Sequence, residues 1–232
     1  MQLEKIEVRD SLSAITQLKQ VIAELAQENV AMVSCRLSQD SIIESMMLES
    51  VEFKFIEMVL HPFLSRLSEK TFLVNRSILI EEAKREELEK LSKIAEVAFI
   101  NDRFSVDLRL PPKSSSSRYK NWVLSCDNHP SQKIFKFAKK DKTLGFFIIE
   151  ENFELRKAYW HLTAIAPEFQ GQGLGNECWN LMLEFHKSRN INKVSTTISA
   201  RNTPVLNLYS KLNFRFQNPE TSFHWINQDL LN

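Results

Sequence analysis

Six residues late in the chain, Gln170-Gly171-Gln172-Gly173-Leu174-Gly175, have the composition of an anion-binding bend. Glycine lets the backbone turn through φ > 0 and come close to a ligand, because no Cβ stands in the way. A strand-like stretch, Arg156–Ala166, precedes the bend, and a helical pattern over Asn176–Arg189 follows it. The start of a helix leaves several N–H groups without intrahelical acceptors, and the helix dipole adds about half a positive charge there. A strand–bend–helix unit of this kind suits a pyrophosphate held on backbone amides. The chain has 232 residues and only four glycines, three of them in this bend. Average glycine usage is about 7 %, so the bend meets a backbone requirement that the rest of the chain lacks.

Spacing separates the classes of phosphate loop. A nucleoside-triphosphate loop needs GxxxxGK[ST], which is absent. A dinucleotide fingerprint needs GxGxxG, usually early in a βαβ unit. Here the glycines are spaced GxGxG, Asn176 follows, and the bend lies late. Gln170-x-x-Gly173-x-Gly175 fits a third pattern, Q/R-x-x-G-x-G/A. A glycine turn that merely joins strand to helix is the bland alternative.

The elements around the bend follow from apolar periodicity. Residues 12–28 have helical spacing through Leu12, Ile15, Leu18, Ile22 and Leu25. Ala31–Cys35 reads as a strand, Ser41–Leu48 as a helix and Glu52–Leu60 as a strand, which together make a small α/β unit over 1–69. From Thr71 onward the order is β-α-α-β-β-β-α-β-α-β-β. The elements are a strand Phe72–Ile80, helix Glu81–Ala98, loop 99–116 with serines Ser114–Ser117, helix Tyr119–Cys126, strands Lys133–Phe137, Leu144–Ile149 and Arg156–Ala166, the bend and its helix, strand Asn192–Ser199, helix Thr203–Leu212, and strands Asn213–Gln217 and Ser222–Ile226. Asn202 or Thr203 is placed to cap the last helix.

Bulk properties narrow the class. Apolar residues at 43 % and charged residues at 25 % are an ordinary globular balance. A net charge of +1 gives no global sign of nucleic-acid binding. Cys35, Cys126 and Cys178 are scattered, form no CxxC pair and predict neither a disulfide framework nor a metal site. MQLEKIEVRD lacks the apolar core of a leader, and no apolar run approaches the ~20 residues that span a bilayer. The expectation is a cytoplasmic protein with no membrane and no nucleic-acid partner.

In these motifs the chain resembles the GNAT (Gcn5-related N-acetyltransferase) superfamily over about residues 70–232. Ile165-Ala166-Pro167-Glu168-Phe169-Gln170 is similar to its strand-to-loop junction. Asn202-Thr203-Pro204-Val205-Leu206-Asn207-Leu208-Tyr209-Ser210-Lys211-Leu212-Asn213-Phe214 resembles its second motif, with Asn213 in place of the usual glycine. The resemblance implies an α/β fold with a mixed central sheet flanked by helices, here preceded by the small N-terminal domain 1–69. It implies acetyl-CoA as co-substrate, its pyrophosphate on residues 170–175 and its pantetheine arm along Thr163, Ala164 and Ile165, with Asn202 and Asn207 as further cofactor contacts. Tyr209 would protonate the leaving thiolate, a role open to a phenol of pKa about 10. The attacking amine must be neutral, so a base is expected. His161 shares a face with Thr163 and Ile165 by period-two alternation, and Glu150 and Glu151 are alternatives. No metal is implied.

A narrower resemblance concerns the acceptor. Ala95-Glu96-Val97-Ala98-Phe99, Asp102-Arg103-Phe104, Leu110-Pro111-Pro112 and Arg118-Tyr119-x-x-Trp122-Val123 resemble TDP-fucosamine acetyltransferases. That implies an acceptor dTDP-4-amino-4,6-dideoxyhexose, a nucleotide-linked amino sugar of polysaccharide biosynthesis, lined by Arg103, Phe104, Arg118 and Tyr119. Arginine suits phosphate oxygens, and aromatic rings stack on a base or sugar face. Acetylation of a protein N-terminus, lysine or polyamine is an alternative expectation, as is a non-catalytic acyl-CoA-binding module. A homodimer is compatible with either enzyme.

Overall fold

The computed structural model describes residues 2–3 and 11–230. Most of MQLEKIEVRD, and with it the reading of that segment, lies outside the described residues. The chain runs β1 (Gln2–Leu3), α1 (Ser11–Gln27), β2 (Met32–Ser38), α2 (Ile42–Ser50), β3 (Lys54–Ser65), β4 (Leu79–Glu82), α3 (Leu88–Ala98), α4 (Arg103–Val106), α5 (Ser114–Ser125), β5 (Gln132–Lys139), β6 (Lys142–Asn152), β7 (Lys157–Ile165), α6 (Leu174–Ser188), β8 (Lys193–Thr196), β9 (Ile198–Ser199), α7 (Thr203–Lys211) and β10 (Arg215–Ile226).

The strands form one mixed sheet in the order β1-β2-β10-β3-β8-β7-β6-β5-β4, with β9 also paired to β3. β7 and β8 are parallel, and β6 and β7 antiparallel. Helices cover both faces. On one side α6 and α7 pack with Phe147, Trp160, Met182 and Tyr209. On the other, α3 and α5 bury Leu91, Val123, Phe146 and Ile148. Neighbouring Phe146 and Phe147 therefore point to opposite faces, as period-two alternation requires.

Residues 1–69 have an apolar cluster of their own, Val33, Leu48 and Phe53 among it, but Phe223 and Trp225 of β10 complete it. β3 sits between β10 and β8, so the first 69 residues join the rest through a continuous sheet.

Several expected elements differ in extent; the helix expected from Glu81 begins at Leu88, and the strand expected over Asn192–Ser199 is split into β8 and β9. Only Leu79 and Ile80 of the expected strand Phe72–Ile80 lie in a strand, which continues to Glu82. The side chain of Asn75 accepts from Ser77 N and Ser77 Oγ, a local turn that competes with sheet pairing. The serine run, expected in a loop, opens α5 instead. Ser115 Oγ and Ser105 Oγ each donate to Asp102 Oδ2 at 2.6 Å, which ties loop 99–102 to both α4 and α5. The two expected C-terminal strands are one strand, β10, with register shifts at Gln217/Glu220 and Ser222/Phe223. Gly145, the fourth glycine, has its own cause: a Cβ there would lie 2.1 Å from Ala164 O.

Candidate active site

The sheet forks beside β7. β6 pairs with β7 as far as Ile165, whereas β8 pairs only with Lys157–Trp160. Beyond the fork, the β8-side edge of residues 161–165 has no strand partner among the described residues. At the fork itself, Thr196 Oγ1 donates to Trp160 O at 2.8 Å. An open parallel fork offers free backbone groups to an extended ligand.

A bulge stands at the same place. The register jumps from Ile148↔Leu162 to Ile149↔Trp160, leaving His161 opposite no residue. A bulge of this kind re-aims side chains. Ala158 and Trp160 pack with the α6 cluster, but Leu162 and Ala164 pack with the α3–α5 cluster. The expected common face of His161, Thr163 and Ile165 is therefore broken. Ile165 packs on the α6 side, while His161 meets Trp122 of α5 edge-on, with centroids 6.1 Å apart. All the same, His161 and Thr163 both line the cavity in the fork.

The glycine bend opens at the mouth of the fork. Gly171 (φ +74°) and Gly173 (φ +78°) are left-handed, and a Cβ on either would meet nothing within 4 Å. Conformation, rather than crowding, therefore calls for glycine there. Gly175 is not in this region of φ and faces Leu208 at ordinary contact distance. Gly173 is the N-cap of α6 and supplies no capping side chain. Among the described residues, the N–H groups of 171–175 find no acceptor before Asn176 N donates to Gly173 O. Gln170 Nε2 donates to Ile165 O at 2.9 Å and Gln172 Nε2 to Glu168 O at 2.8 Å, which folds both glutamine side chains back and away from the amides. Exposed, uncapped amides at a helix start fit a pyrophosphate.

A cavity of about 290 Å³ fills the fork. It brings together Arg103, Phe104, Arg118, Tyr119, His161, Thr163, Asn202 and Tyr209 of the expected site. The bend 170–175 lies outside this lining, as do Ala164, buried against α3, and Asn207, exposed on α7. Asn202 also caps α7, accepting from Val205 N at 3.4 Å.

Tyr209 is 1 % exposed. Burial pushes its phenol up to about 12, although Trp179, Thr163 and Thr196 favour the ionised form. It therefore stays protonated at neutral pH and able to donate. Burial lowers the His161 imidazole below its ordinary value, opposed by Glu150 at 3.2 Å from Nε2, so the ring is neutral at pH 7. Of the two alternative carboxylates, only Glu150 reaches the cavity's histidine. Glu151 is buried elsewhere, bonded to His186 Nδ1 at 3.0 Å and Arg189 Nη2 at 2.6 Å.

The end of the cavity formed by α4 and α5 is cationic and aromatic. The Arg103 and Arg118 guanidinium carbons lie 5.0 and 4.8 Å from the centre of the Phe104 ring, and Arg118 also covers Tyr119 and Trp122. Neither arginine has an ion pair among the described residues. Tyr119 stacks on Trp122 with its phenol raised by burial.

Sequence reading missed Arg36, Glu57, Tyr159 and Thr197, which also line the cavity. Two of these come from β2 and β3, a segment without a motif. Glu57 is 4 % exposed and its Oε2 has no partner. A carboxylate in the middle of the apolar run Phe53–Leu60 was the one available signal.

Residues 79–214 match the Acetyltransferase (GNAT) family, more than half of the chain. The chain belongs to that family: it is an acetyltransferase, and acetyl-CoA is its co-substrate. No curated protein matches it. Solved structures share the fold at low identity. A conserved protein of unknown function from Staphylococcus epidermidis has a TM-score of 0.70 at 12 % identity, covering 97 % of this chain and 84 % of its own. A GCN5-related N-acetyltransferase from Sphaerobacter thermophilus has 0.65 at 14 %, covering 91 % and 67 %. A tandem GNAT protein from the clavulanic acid biosynthesis pathway has 0.64 at 11 %, covering 95 % and 71 %. Among the described residues, no helix is long and apolar enough to cross a membrane.

Proposed function

We propose that this acetyltransferase acts on the amino group of an anionic acceptor, a nucleotide-linked amino sugar of the dTDP-4-amino-4,6-dideoxyhexose type. One observation carries the reading: two arginines without ion pairs flank the Phe104 ring in the fork cavity. Paired guanidinium groups suit phosphate oxygens, and the ring beside them suits a base or sugar face. A peptide or polyamine acceptor calls for an acidic cleft, but the lining of this cavity sets three arginines, Arg36, Arg103 and Arg118, against two carboxylates, Glu57 and Asp102.

In this reading the amides of 171–175 hold the pyrophosphate of acetyl-CoA, and the free edge of 163–165 guides its pantetheine arm. The thioester then lies in the fork between the two ends of the cavity. His161, neutral and steadied by Glu150, takes a proton from the acceptor ammonium. The amine attacks the thioester carbon and sheds its second proton, the C–S bond breaks, and Tyr209 gives its proton to the sulfur and is restored by the one that His161 took. The test is thiol release from acetyl-CoA with a panel of amines. Turnover with dTDP-linked amino sugars and little with peptides is expected. Preference for peptides or polyamines would overturn the acceptor, and coenzyme binding without any turnover would mark a non-catalytic module.

A further inference from the structure

Four side chains form a continuous hydrogen-bonded path out of the cavity. Tyr159 Oη lies 2.7 Å from Thr197 Oγ1, Thr197 Oγ1 3.2 Å from His61 Nδ1, and His61 Nε2 2.9 Å from Glu220 Oε2. Tyr159 and Thr197 line the cavity, whereas His61 and Glu220 stand behind them. The His61 and Glu220 side chains are 26 % and 33 % exposed, so the far end reaches water. The four come from β7, the β8–β9 junction, β3 and β10. No local geometry requires them to meet.

The path has a direction. A carboxylate only accepts, so Glu220 takes its hydrogen from His61 Nε2. An imidazole with its hydrogen on Nε2 alone has its lone pair on Nδ1, where it accepts from the Thr197 hydroxyl. The Thr197 oxygen in turn accepts from Tyr159. Every donor points away from the cavity, and the Tyr159 oxygen keeps its lone pairs for whatever the cavity holds. The reverse order would press an imidazole lone pair against a carboxylate. Arg36 on β2 lies 3.9 Å from Glu220 Oε2 and 3.7 Å from Glu57 Oε1.

We propose that Tyr159–Thr197–His61–Glu220 is an outward proton relay that relieves the acceptor nitrogen of a proton during acetyl transfer. The inference rests on the acetyltransferase reading of the cavity. An ammonium carries three hydrogens and the product amide one, so two protons leave the nitrogen. One balances the coenzyme thiol, and the other must reach solvent. As the N–C bond forms and the C–S bond breaks, Tyr159 Oη takes a proton from the nitrogen and passes its own to Thr197. Thr197 passes its own to His61 Nδ1, and the imidazolium beside Glu220 releases its Nε2 proton to water. Tyr159 is the catalytic group here, and Thr197 and His61 act through it.

Two measurements test the relay. Nitrogen NMR of the full chain, labelled at histidine, reads which ring atom of His61 carries hydrogen near neutral pH, with His61→Gln to assign the signal. Hydrogen on Nε2 alone is expected, and hydrogen on Nδ1 or on both overturns the relay. Second, Thr197→Val keeps the side-chain shape and cuts the path. It should lower kcat about ten- to hundredfold, leave the KM for acetyl-CoA unchanged, and shift the rate profile so that activity recovers at higher pH. Tyr159→Phe should give the same profile, which guards against a Thr197→Val protein that folds poorly. Wild-type kcat and an unshifted profile in either folded variant would sink the proposal. If the wild type turns over no amine at all, the reading of the cavity fails instead, and the His61 tautomer still decides the relay.

Discussion

The glycine bend and the fork cavity lie side by side but are built in opposite ways. The bend is six consecutive residues that present backbone N–H groups, with both glutamine side chains folded back. The cavity draws on β2, β3, α4, α5, β7, β9 and α7, and works through side chains. Recognition of a constant coenzyme needs only a local backbone shape. Recognition of a particular acceptor needs side chains, which non-local segments bring together one at a time.

Breaking each half separately sharpens that contrast. Tyr209→Phe, at the junction, should lower kcat by about one to three orders of magnitude with acetyl-CoA affinity little changed, as loss of a general acid predicts. Thiol-release kinetics beside calorimetric titration check it, and an unchanged kcat would remove Tyr209 from the chemistry. Gly173→Asp should act on the other half. It puts a carboxylate before the amides and a side chain at φ +78°, and should weaken acetyl-CoA binding at least about tenfold by calorimetry. Arg118→Ala should raise the acceptor KM about tenfold or more, the scale of a lost charge-assisted hydrogen bond, and leave coenzyme affinity alone. If Arg118→Ala weakens acetyl-CoA instead, the division between the halves is wrong.

The smallest effect concerns stability. Burial lowers His186 below its ordinary pKa, against the pull of Glu151. Burial raises Glu151, but the bonds from His186 and Arg189 outweigh it and leave it lowered. Both groups are depressed in the folded state, so both contribute stability that is present above their unfolded values and lost as pH falls. The urea midpoint should therefore decline as pH drops below about 6.5, with the histidine, and further below about 4.3, with the carboxylate. Glu151→Gln should cost about 2 kcal/mol at neutral pH and less in acid, measured by urea titration.

Legibility in the sequence followed the same division. The bend, its flanking strand and helix, and the Asn202 cap were readable because each depends on near neighbours. Tyr209 was singled out through a motif on a single helix, and it lines the cavity. Arg103, Phe104, Arg118 and Tyr119 were placed together from a short loop-and-helix segment, and the cavity does gather them. The phase of β7 was not readable: simple alternation carries His161 with Thr163, and nothing in Tyr159–Ile165 marks the bulge opposite Ile148/Ile149. Arg36, Glu57 and His61 were missed because they reach the site across sheet pairings more than 130 residues distant, such as Arg36 with Ser222 and Leu60 with Ile198.

The place of β3 has a consequence for how the molecule is made. Its partner β10 leaves the ribosome some 150 residues after β3, yet β2 and β3 both need β10 beside them. Until then the early strands emerge with open edges, the form in which a nascent chain sticks to its neighbours. The sheet can thus close over β2 and β3 only once β10 has emerged. A chain interrupted shortly after α7 would carry every residue of the glycine bend and Tyr209, and still lack the strand that closes β2 onto β3.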